Sequence, residues 1–238
     1  MLILALDTTT RAGSLAVVRD GEVVHEMTGD PMRPHGQRLP LDVVAACASA
    51  GVALAEIDLF AVATGPGSFT GLRVGIAAIQ GLAFATGRSV VPVSTLEAIA
   101  VAARSGGCSI AAWMDAQRSQ VYAQRFEVRA SPGCQLMGRG TTRALAASPE
   151  DVLAAWRSDG ELRDVQFHGD GAARYADRIR AVLGPDTFVA TEAPPLAGAI
   201  GRIAAAEPGR AVLPHAIVPV YVRRPDVELA RERREGSG

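Results

Sequence analysis

A chain of 238 residues that is 48% hydrophobic can bury one large core or two smaller ones, which excludes intrinsic disorder. A net charge of −1 excludes nucleic-acid binding by bulk electrostatics. All 24 basic residues are arginine, so the chain has no P-loop lysine, no Schiff base and no kinase-type phosphate lysine.

Cys47, Cys108 and Cys134 are widely spaced, which fits neither a disulfide framework nor a paired-cysteine zinc site. Met1-Leu-Ile-Leu-Ala-Leu-Asp7 has no basic region and meets an aspartate too early for a signal peptide. The most apolar stretch spans only 14 residues between Arg73 and Arg88, too short for a bilayer. A reducing, cytoplasmic setting without a membrane is the expectation.

In chain order, Leu2 to Leu6 is a continuous apolar run, the pattern of a central strand, and Thr8 to Gly13 is a turn. Ser14 to Val18 and Val23 to Met27 form a strand pair around Asp20-Gly21, a hairpin signal. A Pro-rich link then leads to a helix over about Gln37–Ala50, with Leu39, Val43 and Cys47 at helical spacing.

Phe60 to Thr64 ends a buried strand, and Gly65-Pro-Gly67 forces a tight turn. Ser68 is a good N-cap for a helix running to Thr86 and stopping at Gly87. On a wheel, Leu72, Ile76, Ile79 and Ala83 share one face of it. Gly75, Ala78, Gly81 and Ala85 share a neighbouring face, with Gly71 at its edge, and only Arg73 and Gln80 are polar. A helix apolar nearly all round is covered nearly all round. Its small-residue face would meet either a helix of the same domain or another subunit.

Ser89 to Val93 is a further strand, and Thr95 to Ala103 a short helix. Arg104-Ser-Gly-Gly107 marks the boundary between an N-terminal lobe, 1–104, and a C-terminal lobe, 105–222. The pattern then restarts, with strands at Ser109–Met114, Gln120–Val128 and Gln135–Met137 and a helix over Pro149–Arg157 opened by Ser148. Val165–His168 is a strand, and Gly169-Asp-Gly171 turns into a helix reaching Leu183. A helix over Pro195–Ala206 and an extended Ala216–Val222 complete the lobe. Residues 223–238 form a charged tail in which Arg223, Arg224, Arg231, Arg233 and Arg234 are solvated. The two halves share one order of elements.

Asp7-Thr-Thr-Thr10 and Gly65-Pro-Gly-Ser-Phe-Thr-Gly-Leu-Arg-Val-Gly75 resemble the motifs of the bacterial TsaB (YeaZ) family. The resemblance continues through Val91-Pro-Val-Ser-Thr-Leu96, Asp115-Ala-Gln-Arg-Ser-Gln-Val-Tyr122 and Pro219-Val-Tyr-Val-Arg223, and so covers most of the chain. It implies an α/β protein of the actin-like/sugar-kinase ATPase fold, with two related lobes, each a mixed sheet flanked by helices. It also implies a scaffold subunit, not itself the enzyme, in making threonylcarbamoyladenosine at position 37 of tRNAs that read codons starting with A. The implied partners are the catalytic paralogue TsaD, the small ATPase TsaE through the complex, and a second copy of the chain when it is alone. Contact with tRNA would be indirect.

The family's interface helices carry over onto His35, Leu39, Val43 and Cys47 on one helix. On the next they carry over onto Gly71, Arg73, Gly75, Ala78, Gly81 and Ala85. The alternative function is an ATPase or phosphotransferase of the same fold acting alone. Active members of the fold need a glycine after the first aspartate so that a phosphate can approach the backbone. Here Thr8 takes that place. Asp7 with Thr8, Thr9 and Thr10 is therefore a degenerate phosphate loop, which holds a magnesium water or phosphate oxygen, or else only turn amides. Tightly bound cofactors are not expected, and ATP or ADP with magnesium would sit at the subunit junction.

TsaD-like proteins place a His-x-x-x-His metal pair where this chain has Thr95 and Ile99. His25, His35, His168 and His215 have no ligand spacing and read as loop or surface residues. No metal is expected. Ser68 in Gly-Pro-Gly-Ser-Phe-Thr does not match Gly-x-Ser-x-Gly, and a helix cap explains it.

Overall fold

A computed structural model describes residues 1–103, 109–130, 136–158, 162 and 164–223. The expected lobe boundary at Arg104–Gly107, residues 224–238 of the tail, and Cys108 and Cys134 lie outside these residues.

The first lobe opens with β1 (Leu2–Asp7), β2 (Ser14–Arg19) and β3 (Glu22–Thr28). Asp20 (φ 51°) and Gly21 (φ 86°) close the β2–β3 hairpin with the two positive φ values that its tight turn requires. Next come α1 (His35–Ser49), β4 (Leu59–Gly65), α2 (Phe69–Thr86), β5 (Val90–Ser94) and α3 (Thr95–Ala102). The sheet order is β3-β2-β1-β4-β5, with β1 antiparallel to β2 and parallel to β4. Every residue of β1 and β4 is buried, as continuous apolar runs in central strands require.

The second lobe repeats this plan with β6 (Ser109–Asp115), β7 (Val121–Ala130), β8 (Leu136–Gly140), β9 (Leu145–Ala147), α4 (Pro149–Ser158) and β10 (Val165–His168). It continues with α5 (Asp170–Arg174), α6 (Ala176–Leu183) and α7 (Ala197–Ala206). The sheet order is β10-β6-β7-β8, with β9 also on β7. β6 is antiparallel to β7 and parallel to β10, so β6, β7 and β10 stand where β1, β2 and β4 stand in the first lobe. This is the two-lobed actin-like/sugar-kinase arrangement. The sequence reading missed β9, and the single helix expected after Gly171 is broken in two at Tyr175 (φ −110°).

α7 crosses back. It packs on β1 and β2, Val212 bridges Val90, and the Val220 amide donates to the Thr64 carbonyl at 2.7 Å. The segment 197–222, expected in the C-terminal lobe, therefore lies against the first sheet. Apolar faces decide this: Ile200, Ile203 and Ala204 of α7 share one core with Ile3, Ala5, Ala16 and Val18.

α2 follows its sequence signals closely. Ser68 Oγ accepts the Gly71 amide at 3.2 Å, and Gly87 (φ 65°) ends the helix in the left-handed cap conformation. At 18 residues it is long and apolar enough to cross a bilayer by length and composition, unlike the shorter stretch counted from Arg73. Here it lies on the sheet through Leu72, Ile76, Ile79 and Ala83.

Candidate functional site

Two surfaces are candidates: the cleft where the lobes meet, and the outer face of α1 and α2.

The cleft encloses about 370 Å³ between the β1–β2 turn, α3, the end of β6, the start of α5 and the residues before α7. Asp7 sits at its base, only 2% exposed. Its Oδ1 accepts both the Thr9 amide (2.9 Å) and the Thr9 hydroxyl (2.6 Å). The Thr8 hydroxyl donates to the Gly71 carbonyl at 2.8 Å, and the Thr10 hydroxyl accepts the Gly13 amide at 3.1 Å. The Ser68 amide donates to the Thr9 carbonyl at 2.9 Å. In Asp7-Thr-Thr-Thr10 one carboxylate oxygen takes turn groups and the turn is stitched to α2.

The second lobe offers the matching corner. Asp170 Oδ1 accepts the Asp115 amide (3.0 Å) and the Gly171 amide (2.8 Å). Burial pushes both the Asp7 and the Asp170 carboxyls above the usual carboxylate range. His168, read as a loop or surface histidine, is instead buried and lines the cleft, and burial holds its imidazole below its ordinary pKa. Ile99, at one of the two positions of the metal pair, is an apolar wall, while Thr95 is buried. Among the described residues no three His, Cys, Asp or Glu side chains converge as metal ligands.

A nucleotide's phosphates need free amides or cations. At the start of α7 those amides are taken: Leu196 and Ala197 donate to Ser14 Oγ (3.2 and 3.0 Å), and Gly198 donates to Glu26 Oε1 (2.7 Å). The other groups lining the cleft include the Asp7 and Asp170 carboxylates, His168, apolar side chains and, at the rim, Arg11, so a nucleotide's phosphates would meet two acids and one permanent cation.

Asp115, Arg118 and Tyr122, from the fourth motif of the resemblance, lie in and beside the β6–β7 turn. Gln117, Arg118 and Ser119 are all left-handed, at φ 59°, 54° and 57°. Left-handed backbone costs L-residues about 1–2 kcal/mol each, so this turn is held from outside. Asp115 accepts the Gln117 amide at 3.0 Å and pairs with Arg174 at 2.6 Å. Arg223, expected in the solvated tail, is instead half-buried: it donates to the Ala116 carbonyl at 2.9 Å and to Gln120 Oε1, and stacks over Tyr122.

The helix face differs from the residue set carried over from the resemblance. Leu39, Val43 and Cys47 point inward and are core. His35 is tied into its own chain, with Arg38 donating to its Nδ1 (2.8 Å) and its Nε2–H donating to the Thr10 carbonyl (2.9 Å). Gly71 and Gly75 are buried, because a Cβ on either would overlap the Thr8 carbonyl oxygen or hydroxyl. Leu39, Val43, Cys47, Gly71 and Gly75 are thus buried within the chain, while His35 is half-buried. Ala78 is half-buried, and Gly81 and Ala85 are open. Arg73 is exposed, stacked over Phe69 at 3.9 Å, with its Nε donating to the Tyr221 hydroxyl at 3.2 Å.

What the sequence reading missed is the apolar stripe on the other side of α1: Leu41, Val44, Ala45 and Ala48, with Leu41 and Val44 each 66% exposed. α2 lies beside it and adds Ala77, Gly81, Ala85 and Phe84, the last 83% exposed. The signal was present, since α1 carries two apolar series, one at 39, 43, 46 and 47 and one at 41, 44, 45 and 48.

Residues 25–143 match the family model described as TsaD, tRNA N6-adenosine threonylcarbamoyltransferase. The tRNA threonylcarbamoyladenosine biosynthesis protein TsaB of Haemophilus influenzae is 34% identical, over 74% of this chain and 75% of that protein. The chain belongs to the TsaB (YeaZ) family. The Bacillus subtilis TsaB is 27% identical over 96% of both chains. The solved structure of YeaZ from Pseudomonas aeruginosa superimposes with a TM-score of 0.74 at 33% identity, over 92% of this chain and 99% of that one. The region matched by the TsaD model runs from within β3 to beyond β8 and so includes both α1 and α2.

Proposed function

We propose that this TsaB-family chain takes part in threonylcarbamoyladenosine formation on tRNA by binding and positioning a TsaD-type transferase. One observation carries the reading: two adjacent helices leave large apolar side chains uncovered, Leu41 and Val44 on α1 and Phe84 beside Ala85 on α2. Large apolar side chains at this exposure mark a surface that another protein covers. Burying Phe84 or Leu41 would contribute about 1.5–3 kcal/mol each. A TsaD-type partner fits because residues 25–143, which include α1 and α2, match the TsaD family model, so such a partner would carry a related helix pair. Two related helix pairs can then meet face to face, as two copies of one surface do in a dimer. A homodimer of the free chain would use the same face.

In this reading the product is the modified adenosine at position 37 of tRNAs reading ANN codons. TsaE acts through the complex, tRNA contact falls mainly to the partners, and the setting is the cytoplasm. The near-neutral charge of the chain agrees with that division of labour.

The test is mass spectrometry of nucleosides from a reconstituted reaction containing tRNA, threonine, bicarbonate, ATP and the partner proteins. Threonylcarbamoyladenosine is expected only when this chain is present. An unchanged yield without it overturns the reading.

A further inference from the structure

We infer that the cleft between the lobes binds a small organic cation, an ammonium group on a short apolar body, where active members of the fold would hold a nucleotide. The inference starts from unused hydrogen-bonding capacity. Asp7 commits Oδ1 twice to Thr9, and its Oδ2 accepts nothing although the residue lines the cleft and is only 2% exposed. Asp170 likewise commits Oδ1 to two amides, which leaves Oδ2 without a partner beside the same cavity. Neither Oδ2 is sealed from solvent, so both acceptors can be reached by a donor placed in the cleft.

The remaining walls fix the ligand's chemistry. Ile99, Met114 and Leu196 face the two carboxylates across the 370 Å³ space. An alkylammonium offers three N–H donors at one end and hydrocarbon at the other, which matches acids at the base and apolar walls above. The volume suits a small molecule. Anions are disfavoured by the same residues, since the amides at the start of α7 already serve Ser14 and Glu26. A hard divalent cation needs about six oxygens, and the cleft supplies two free carboxylate oxygens and no third acid. His168 also lines the space, and burial favours its neutral form, which does not repel a cation. Arg11 lies at the rim with its side chain exposed. Burial raises the proton affinity of both acids, and a bound ammonium would return them to the ionised form.

The experiment uses the full chain with methyl-labelled isoleucine and follows the Ile99 δ1 methyl by NMR. The additions are n-propylammonium chloride, 1-butanol as a neutral, slightly larger amphiphile, magnesium chloride, and ATP with magnesium. Propylammonium is expected to shift Ile99 saturably, while butanol, magnesium and ATP leave it in place. Asp170→Asn, which keeps an oxygen for the two amides, should weaken the ammonium titration about tenfold or more, the equivalent of one charge-assisted hydrogen bond. Three results would overturn the inference: no saturable shift with propylammonium, an equal shift with butanol, or a shift driven by magnesium or ATP. If Asp170→Asn fails to fold, the ammonium-against-butanol comparison on the unaltered chain still decides. No partner protein enters the assay, so its outcome is separate from the scaffold reading.

Discussion

The two halves of α2 carry the same kind of residue and do opposite things. In the N-terminal half, Gly71 and Gly75 have no side chain because Thr8 of the β1–β2 turn presses against the helix there. In the C-terminal half, Gly81 meets nothing within 4 Å, and Phe84 and Ala85 stand in the open. Small residues along a helix thus mark close approach in one half and an uncovered surface in the other. The sequence shows the stripe; only the fold shows what lies against each part.

The strongest way to break this contrast is a large side chain at the buried glycine. Gly75→Arg should prevent folding, and Gly75→Ala should lower unfolding free energy by about 1–3 kcal/mol, the usual cost of overpacking. Denaturant unfolding measures both. An unperturbed Gly75→Arg protein would mean that Thr8 does not hold the helix. At the open glycine the sign reverses. Gly81→Ala should stabilise the free chain by about 0.5–1 kcal/mol, because alanine restricts the unfolded state and meets no neighbour. A loss of stability there would show that this half is covered as well.

A smaller effect tests the turn from its other side. His35 links α1 to the Thr10 carbonyl, and its pKa is lowered first by burial. A histidine depressed in the folded state leaves stability complete above its unfolded pKa of about 6.5, and that stability is lost as pH falls through the lower folded value. Unfolding midpoints of the native chain should therefore fall on acidification below that point. His35→Gln should flatten this fall, and an identical pH profile in the variant would place the titration elsewhere.

Much of the local structure was legible because its causes are local. Ser68 caps α2 three residues away, Gly87 ends it, and Asp20-Gly21 turns the hairpin. The repeated order of strands and helices also announced two related lobes. What could not be read depends on contacts distant in sequence. Thr8 meets Gly71 across 63 positions, and Ser14 receives the Leu196 amide across 182. A helical wheel gives the angle between residues but not which angle faces the sheet. Leu39, Val43 and Cys47 fit an interface as well as a core until β2 and α2 are packed against them. For the same reason the stitching of the Asp7 turn to α2 was not legible in the sequence.

The central claim is that the open half of α2, with the outer stripe of α1, is the surface that holds a TsaD-type partner. Phe84→Arg tests it most directly, with thermal unfolding and partner affinity measured on the same preparation. The midpoint should be unchanged and the affinity reduced about thirtyfold or more, the loss expected of an interface anchor. Undiminished affinity in a folded Phe84→Arg chain would contradict it.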